Sequence, residues 1–454
     1  MSLEIVIMAA GQGTRMHSAF PKVLHQVANK SLLEHIYLTA KSLNPSKIHV
    51  IVGHGGHIVK EQLNIDVSWT EQLEQLGTGH AVMQALPNVD KNSRVLVLPG
   101  DVPCLSSETL QHMLKQTPLE GVGILTALVS NPTGLGRILR TEQKEFFAIV
   151  EEKDATEKQK QVNEINAGVM LAPVSVFNEL LPSVANKNAQ QEYYLTDLPA
   201  LALKQNYPVV AVRCLDAEEI QGVNDRWQLN VVERYYQRKQ AKKLMTSGVT
   251  IRDAARFDLR GELIVGRDVE FDVNALLEGT VIIGEHCEIG ANVILRNVTI
   301  GNNVKIKDNS VVEDAVIGND CIVGPFARIR PGTVIEDTGR IGNFVEVKKS
   351  TIGRGSKVSH LSYIGDTTLG ESVNIGAGVI TCNYDGVNKH QTIIENEVFI
   401  GSNSALVAPL TIGRGSTIGA GSTISKDVPE KKLTLTRAKQ LTIPGWKRPE
   451  KKEL

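Results

Sequence analysis

The stretch IGNDCIVGPFARIRPGTVIEDTGRIGNFVEV, residues 317–347, decides the C-terminal architecture, because an aliphatic residue returns at every sixth position: Ile317, Val323, Ile329, Ile335, Ile341 and Val347. Neither the period of an α-helix nor that of a β-strand gives this spacing. A hexapeptide period belongs to a parallel β-helix, in which each aliphatic side chain stacks on its equivalent one turn away. Val358 and Ile364 follow after a shortened step at Ile352, and Ile400, Leu406, Ile412, Ile418 and Ile424 resume the run. Gly comes next after many of them, at Gly318, Gly324, Gly342, Gly401, Gly413 and Gly419, and is read as easing the corners. Helices are therefore not expected over residues 262–426. Between Gly378 and Glu397 the period stops at a polar, turn-forming segment, Thr381 to Gly386. An excursion loop on a rigid coil commonly carries function, and a tolerated insertion is the plain alternative.

Working back from the coil, residues 225–247 hold Trp227, Val231, Val232, Tyr235, Tyr236, Leu244 and Met245 among charges, with Gly248 as the stop, which predicts one connecting helix. Before it, β-rich runs (Ile5 to Met8, Ile48 to Val52, Val95 to Leu98, Gly123 to Val129) alternate with helical stretches such as Leu32 to Ala40. That alternation predicts an α/β domain with a mostly parallel sheet and a ligand site where strands end in Gly-containing turns. The expected division is 1–226, a helical linker at 227–247, and 248–454. A chain of 454 residues exceeds one ordinary core, so two domains are expected on size as well.

Composition narrows the class. The 42% hydrophobic and 22% charged shares are those of a globular protein, and a net charge of −1 gives no global attraction to nucleic acid or anionic membrane. Five scattered cysteines without a CxxC pair, no signal-like N-terminus and no membrane-length apolar run predict a cytoplasmic protein without disulfides.

After the first strand come Ala9, Ala10 and Gly11, then Gly13, Arg15, Pro21 and Lys22. The spacing fits neither the dinucleotide fingerprint nor the Walker A loop. A Gly-rich turn nonetheless presents backbone N–H groups to phosphate, and Arg15 and Lys22 add positive charge. Pro99-Gly100-Asp101 places one carboxylate past a strand end, where Mg²⁺ takes oxygen ligands from protein and phosphate together. Asn224, in Gly222-Val223-Asn224-Asp225, supplies either a second oxygen or a helix cap.

The motifs AAGQGTRM, PK, EQLGTGHA, GDVP, NPTGLGRI, IVEEKDA, EINAG, EYYLTD and GVNDR, followed by hexapeptide repeats, cover nearly the whole chain in order and closely resemble the bifunctional bacterial GlmU family. The resemblance implies an α/β nucleotidyltransferase (Rossmann-like) domain, a connecting helix and a left-handed parallel β-helix. It implies N-acetylglucosamine-1-phosphate uridyltransferase activity in the head and glucosamine-1-phosphate acetyltransferase activity in the tail, with UTP and acetyl-CoA as co-substrates, feeding peptidoglycan and lipopolysaccharide precursors. By matching positions, Asp101 and Asn224 hold Mg²⁺, Arg15 and Lys22 meet the phosphates, and Ala9, Ala10, Gly11, Gln72, Gly77, Thr78, Pro99 and Gly100 surround the nucleotide. Gly136, Glu151 and Asn166 hold the sugar. A homotrimer with shared active sites is also implied. Met8, Pro99, Ala167 and Gln191 depart from the usual pattern without removing a ligand group.

Acyl transfer to an amine requires a base, and imidazole titrates in the right range. The resemblance singles out His360, oriented by Glu346. Arg330 and Lys348, eighteen residues apart, would stack on one edge and take the sugar phosphate, with Tyr363 and Asn374 on the sugar. Asn383 and Tyr384 would meet the acyl donor, with Ala377, Ser402, Ala420 and Arg437 on the coenzyme. The rival readings are a single-activity nucleotidyltransferase with a regulatory coil, a non-enzymatic scaffold, and a zinc hydratase using His286, His360 and His390, whose repeat phases differ.

Overall fold

The computed structural model describes residues 1–449 and 451 and divides into two compact units, Met1–Tyr236 and Gln237–Leu454. One helix, Arg226–Thr246, contributes residues to each. In the first unit its Val232 and Tyr235 pack with Met16, Val27 and Cys104, and in the second its Ala241 joins the coil's core.

The first unit is built on a nine-stranded sheet: β1 (Ser2–Ala9), β2 (Lys47–Val52), β3 (Ser68–Glu71), β4 (Ser93–Pro99), β5 (Val122–Leu128), β6 (Arg137–Arg140), β7 (Phe146–Val150), β8 (Glu164–Pro173) and β9 (Val209–Arg213). The main path runs β9-β5-β8-β4-β1-β2-β3, and β6 pairs with β8 and β7. Every pair along the main path is parallel except the two made by β8, which runs antiparallel to β4 and β5. Ile5, Val6 and Ile7 are fully buried, as expected of a parallel strand covered on both faces. Because β1 to β4 run the same way, their carboxyl ends bring Ala10, Gly53, Gln72 and Gly100 to one edge, where open α/β sheets bind ligands.

The second unit is the coil expected from the sixfold period. Its aliphatic residues form columns: Ile317, Ile335, Ile352, Leu369, Ile394 and Ile412 in one, and Val323, Ile341, Val358, Ile375, Ile400 and Ile418 in another. All twelve are at most 2% exposed, and burying each contributes about 1.5–3 kcal/mol. The coil begins before the run of residues 317–347 does, with Phe257–Val265 paired to Ala275–Ile283 over nine residues. The sixfold spacing runs through those long strands as well, at Leu259, Val265, Phe271, Leu277, Ile283, Ile289 and Leu295, upstream of the run read from the sequence. The third column passes through Ile329, Val347 and Ile364 and then meets Thr381, a buried hydroxyl that accepts from Gly365 N at 2.7 Å. This explains why the period stops there. The next turn takes 25 residues, from Asn374 to Phe399, against 17 from Lys357 to Asn374, and the surplus forms a hairpin closed by Tyr384 and Lys389.

Gly324, at φ 95°, eases a corner as expected, while the other glycines after the aliphatics act differently. Gly318, Gly342, Gly401 and Gly413 are absent from the positive-φ residues; the left-handed corner positions are taken instead by Asn, Asp and others, such as Asp320 at φ 57°. What requires Gly is clearance: a Cβ on Gly401 would lie 2.4 Å from Ala420 N, and on Gly342 it would overlap the Ser359 carbonyl of the next coil. Gly342→Ala should therefore cost about 1–3 kcal/mol of overpacking. Thermal melting checks it, and an unchanged melting temperature would remove the clearance explanation.

Candidate functional site

In the first unit a cavity of about 320 Å³ opens at the carboxyl edge of the sheet, lined by Ala9, Ala10, Gly11, Lys22, Gln72, Gly77, Thr78, Pro99 and Asp101 among others. Gly13, at φ 62°, has its Cα beside the Lys22 stem; a Cβ there would sit 2.6 Å from Lys22 Cβ. The glycine lets Lys22 pass close beneath the loop, where its ammonium pairs with Asp101 and donates to Asn224 Oδ1 at 3.2 Å. Val223 N donates to Asp101 O at 2.9 Å, which brings the Gly222–Asp225 turn onto the end of β4. Gln72 Nε2 donates to Gly77 O at 3.1 Å, so these two candidate residues brace each other.

Gly136, Glu151 and Asn166 also come together. Asn166 N donates to Gly136 O at 2.9 Å, and a Cβ on Gly136 would approach Glu151 Oε1 to 3.2 Å. Glu151 is not the unpaired surface acid that the sequence leaves open: its Oε1 accepts from Thr196 Oγ1 at 3.0 Å, and burial, with Asp154 and Asp197 nearby, pushes its carboxyl above the usual range. Since the folded-state value exceeds the unfolded one, ionisation favours the unfolded chain, and stability falls as pH rises through that window. Glu151→Gln should remove this penalty, melting no lower than the parent near pH 7, with the advantage fading below about pH 4.5. Parallel melting curves across pH check the sign.

Arg15 is not brought to this cavity. It lies exposed on the short turn Thr14–Met16, because the left-handed Gly13 and His17 at either side of the turn point it outward. Sequence reading missed Gln75, whose Nε2 donates to Ala10 O at 2.6 Å and holds the loop, and Thr196. Both lie within the motifs EQLGTGHA and EYYLTD, but as uncharged residues beside the ones those motifs single out.

In the second unit the register gathers the candidates. Asn343 pairs opposite His360, and Gly378 N donates to His360 O at 3.4 Å, which sets Ala377 beside His360 on the following coil. Asn403 N donates to Ala377 O at 2.7 Å and Gly421 N to Ser402 O at 2.8 Å, so Ala377, Ser402 and Ala420 occupy one corner of successive coils. Arg437 Nη2 would lie 3.7 Å from a Cβ on Gly419, at the end of the same column. Ala377, Ser402 and Ala420 all carry small side chains.

Glu346 does not orient His360. It accepts from Arg330 Nη1 at 2.7 Å, since the register places Glu346 beside Arg328 and Tyr363 rather than in the His360 column. The His360 partner is Asn343, with Nδ1 3.0 Å from Asn343 Oδ1. With the amide oxygen accepting, Nδ1 carries the proton and Nε2 is left basic. Arg330 and Lys348 stack as expected. Lys389, unremarked in the sequence, joins them from the hairpin, and its proximity pulls the Lys348 amine below its ordinary value. Asn383 lies 7% exposed between Tyr363 and Asp366, while Tyr384 is exposed and donates to Gly386 O at 2.5 Å. Asn374 pairs with Lys357 one coil before.

Among the described residues no group of three or more His, Cys, Asp or Glu is arranged to hold a metal, so His286, His360 and His390 form no zinc site. No helix among them is long and apolar enough to cross a membrane.

Three family models match: the MobA-like NTP transferase domain over residues 5–162, the GMPPB C-terminal domain over 259–338, and the bacterial transferase hexapeptide over 391–426. The protein named Bifunctional protein GlmU in Legionella pneumophila is 52% identical over all of this chain and all of its own length. Those of Marinobacter nauticus and Stutzerimonas stutzeri are each 51% identical, covering 99% and 100% of both chains respectively. With identity at this level from end to end, the chain belongs to the bifunctional GlmU family.

Proposed function

We propose that the chain carries out two successive transfers in UDP-N-acetylglucosamine synthesis. The tail moves acetyl from acetyl-CoA to the amine of glucosamine 1-phosphate, and the head joins the product to the uridylyl group of UTP, releasing pyrophosphate. The observation that supports this best is that one chain carries both a cation-bridged pair of oxygens at a cavity in the head and, in the tail, an imidazole held through Nδ1 with its Nε2 free to accept a proton.

In the tail, His360 Nε2 accepts the proton of the amine as its nitrogen attacks the thioester carbon. The backbone N–H groups near Ala377 face the developing oxyanion, and the coenzyme thiolate leaves. Arg330, Lys348 and Lys389 hold the sugar phosphate, with Tyr363 and Asn374 on the sugar; Ala377, Ser402, Ala420 and Arg437 seat the coenzyme, and Tyr384 meets it from the hairpin. In the head, an oxygen of the sugar phosphate attacks the α-phosphorus and pyrophosphate departs, so the protein's work is positioning and charge neutralisation. Gln72, Gly77 and Thr78 meet the uracil, Gly136, Glu151 and Asn166 the sugar, and Lys22 the phosphates, with Arg15 reaching them from outside the cavity.

Asp101 and Asn224 suit Mg²⁺: both are hard oxygen donors, and they already converge on one positive charge, the Lys22 ammonium. When bound, the metal neutralises the triphosphate. A homotrimer fits an exposed apolar ladder beside the tail site, Phe326, Phe344 and Leu361, whose first two rings stack at 5.2 Å. Cytoplasmic residence fits five cysteines without a disulfide.

The test supplies purified protein with acetyl-CoA, glucosamine 1-phosphate, UTP and Mg²⁺, and follows free thiol and pyrophosphate separately. Release of both is expected. Without thiol release, the tail is a structural or regulatory solenoid.

A further inference from the structure

We propose that Asp366 is the positioning residue of the acyl-acceptor site: it fixes the Asn383 amide so that the carbonyl oxygen faces outward to accept an N–H of the attacking amine. The inference rests on the acetyl-transfer reading above and deepens it, giving Asn383 a role toward the acceptor amine rather than the acyl donor.

Asp366 occupies a coil corner at φ 47°, with its side chain 10% exposed. Its Oδ2 takes Asn383 Nδ2 at 2.5 Å, and the same amide nitrogen lies 3.5 Å from the Tyr363 hydroxyl. An ionised carboxylate only accepts, so the NH₂ end of Asn383 must face Asp366 and the amide is not free to flip. Asn383 is more than nine-tenths buried, yet among the described residues its Oδ1 meets no donor, and it is not one of the sealed, unsatisfied polar atoms. It is an acceptor kept open to the site, where a bound N–H can replace solvent. An amine attacking a thioester must aim its lone pair at the carbonyl carbon. Holding one N–H on Asn383 Oδ1 while His360 takes another proton supplies that aim. Gly365 completes the arrangement, since a Cβ there would overlap the Tyr363 hydroxyl and approach Asn383 Nδ2 to 2.8 Å.

The same Asn-on-Asp step recurs elsewhere in the coil as plain corner bracing: Asn297 Nδ2 donates to Asp314 Oδ1 at 3.0 Å and Asn303 Nδ2 to Asp320 Oδ1 at 3.2 Å, both exposed. A half-buried case is Asn319 Nδ2 to Asp337 Oδ1 at 3.1 Å, whereas at Asp366 the step runs the other way along the coil, from the later Asn383 back to the earlier Asp, beside the Tyr363 hydroxyl and at the start of the excursion hairpin. Asp314 therefore provides the control for a bracing role.

The experiment compares Asp366→Ala, Asp366→Asn and Asp314→Ala in the full chain, reading thiol-release kcat, KM for acetyl-CoA and for glucosamine 1-phosphate, and melting temperature. Asp366→Ala should lower kcat by about 100-fold, the cost of a misaimed reactant, with KM for acetyl-CoA within about threefold. Asp366→Asn, which retains hydrogen bonding and so the fold but no longer forces the amide's direction, should lose about 10-fold in kcat. Asp314→Ala should shift melting while leaving kcat alone. If kcat of both Asp366 variants stays within twofold of the parent, or falls only as melting does in the Asp314 control, the positioning role is overturned. If the parent itself releases no thiol, the acetyl-transfer reading fails and takes this inference with it.

Discussion

His360→Ala should lower thiol release by about 100- to 10,000-fold while pyrophosphate release from supplied N-acetylglucosamine 1-phosphate stays within about twofold. The range is what a positioned general base contributes. His360 is exposed at the end of a short strand, and its ring bonds sideways to Asn343 rather than inward to the coil's core. Its removal therefore opens no core cavity, and melting should change little. Asn343→Ala should act in the same direction and less strongly, about 10-fold, because the ring loses the acceptor that keeps the proton on Nδ1. Equal loss of both activities in His360→Ala would mean the substitution damages the chain as a whole. Undiminished thiol release would assign the base to another residue.

The coil was legible in the sequence because its rule is local: one aliphatic per hexapeptide, stacked on the next turn. The rule became illegible where function intervenes, at Thr381, whose hydroxyl replaces an aliphatic side chain to serve Gly365. The role of the repeat glycines was misjudged for a related reason. Their need for clearance depends on where the next coil's backbone passes, and no single hexapeptide contains that information. In the sites, residues on recognisable motifs could be named in advance, as Lys22, Asp101 and Asn224 show. Which partner each takes could not, because register decides it. Glu346 and Asn343 are both near His360 in sequence terms, yet Asn343 stands opposite the imidazole while Glu346 stands opposite Tyr363. Gln75, Thr196 and Asp366 act through hydrogen bonds to other candidates, a property that residue type and spacing do not display.

Asp101→Ala should abolish pyrophosphate release, about 1,000-fold or more, and leave thiol release intact; removing Mg²⁺ with a chelator should produce the same split. A loss of that size is about 4 kcal/mol of transition-state stabilisation, within reach of one misplaced or missing charge in a phosphoryl site. The local fold should survive, since the backbone carbonyl of Asp101, not its side chain, receives Val223 N at 2.9 Å and keeps the Asn224 turn in place. What disappears is the carboxylate that shares the Lys22 ammonium with Asn224 Oδ1. Asp101→Asn separates the two ways that carboxylate acts, because it keeps the oxygen that accepts from Lys22 and removes the negative charge. An Asn variant as inactive as the Ala variant, with its remaining activity unresponsive to added Mg²⁺, identifies charge toward the metal as the requirement. An Asn variant near parental activity would instead make Asp101 a hydrogen-bonding brace for Lys22, and the metal would then be held chiefly by the nucleotide's own phosphates.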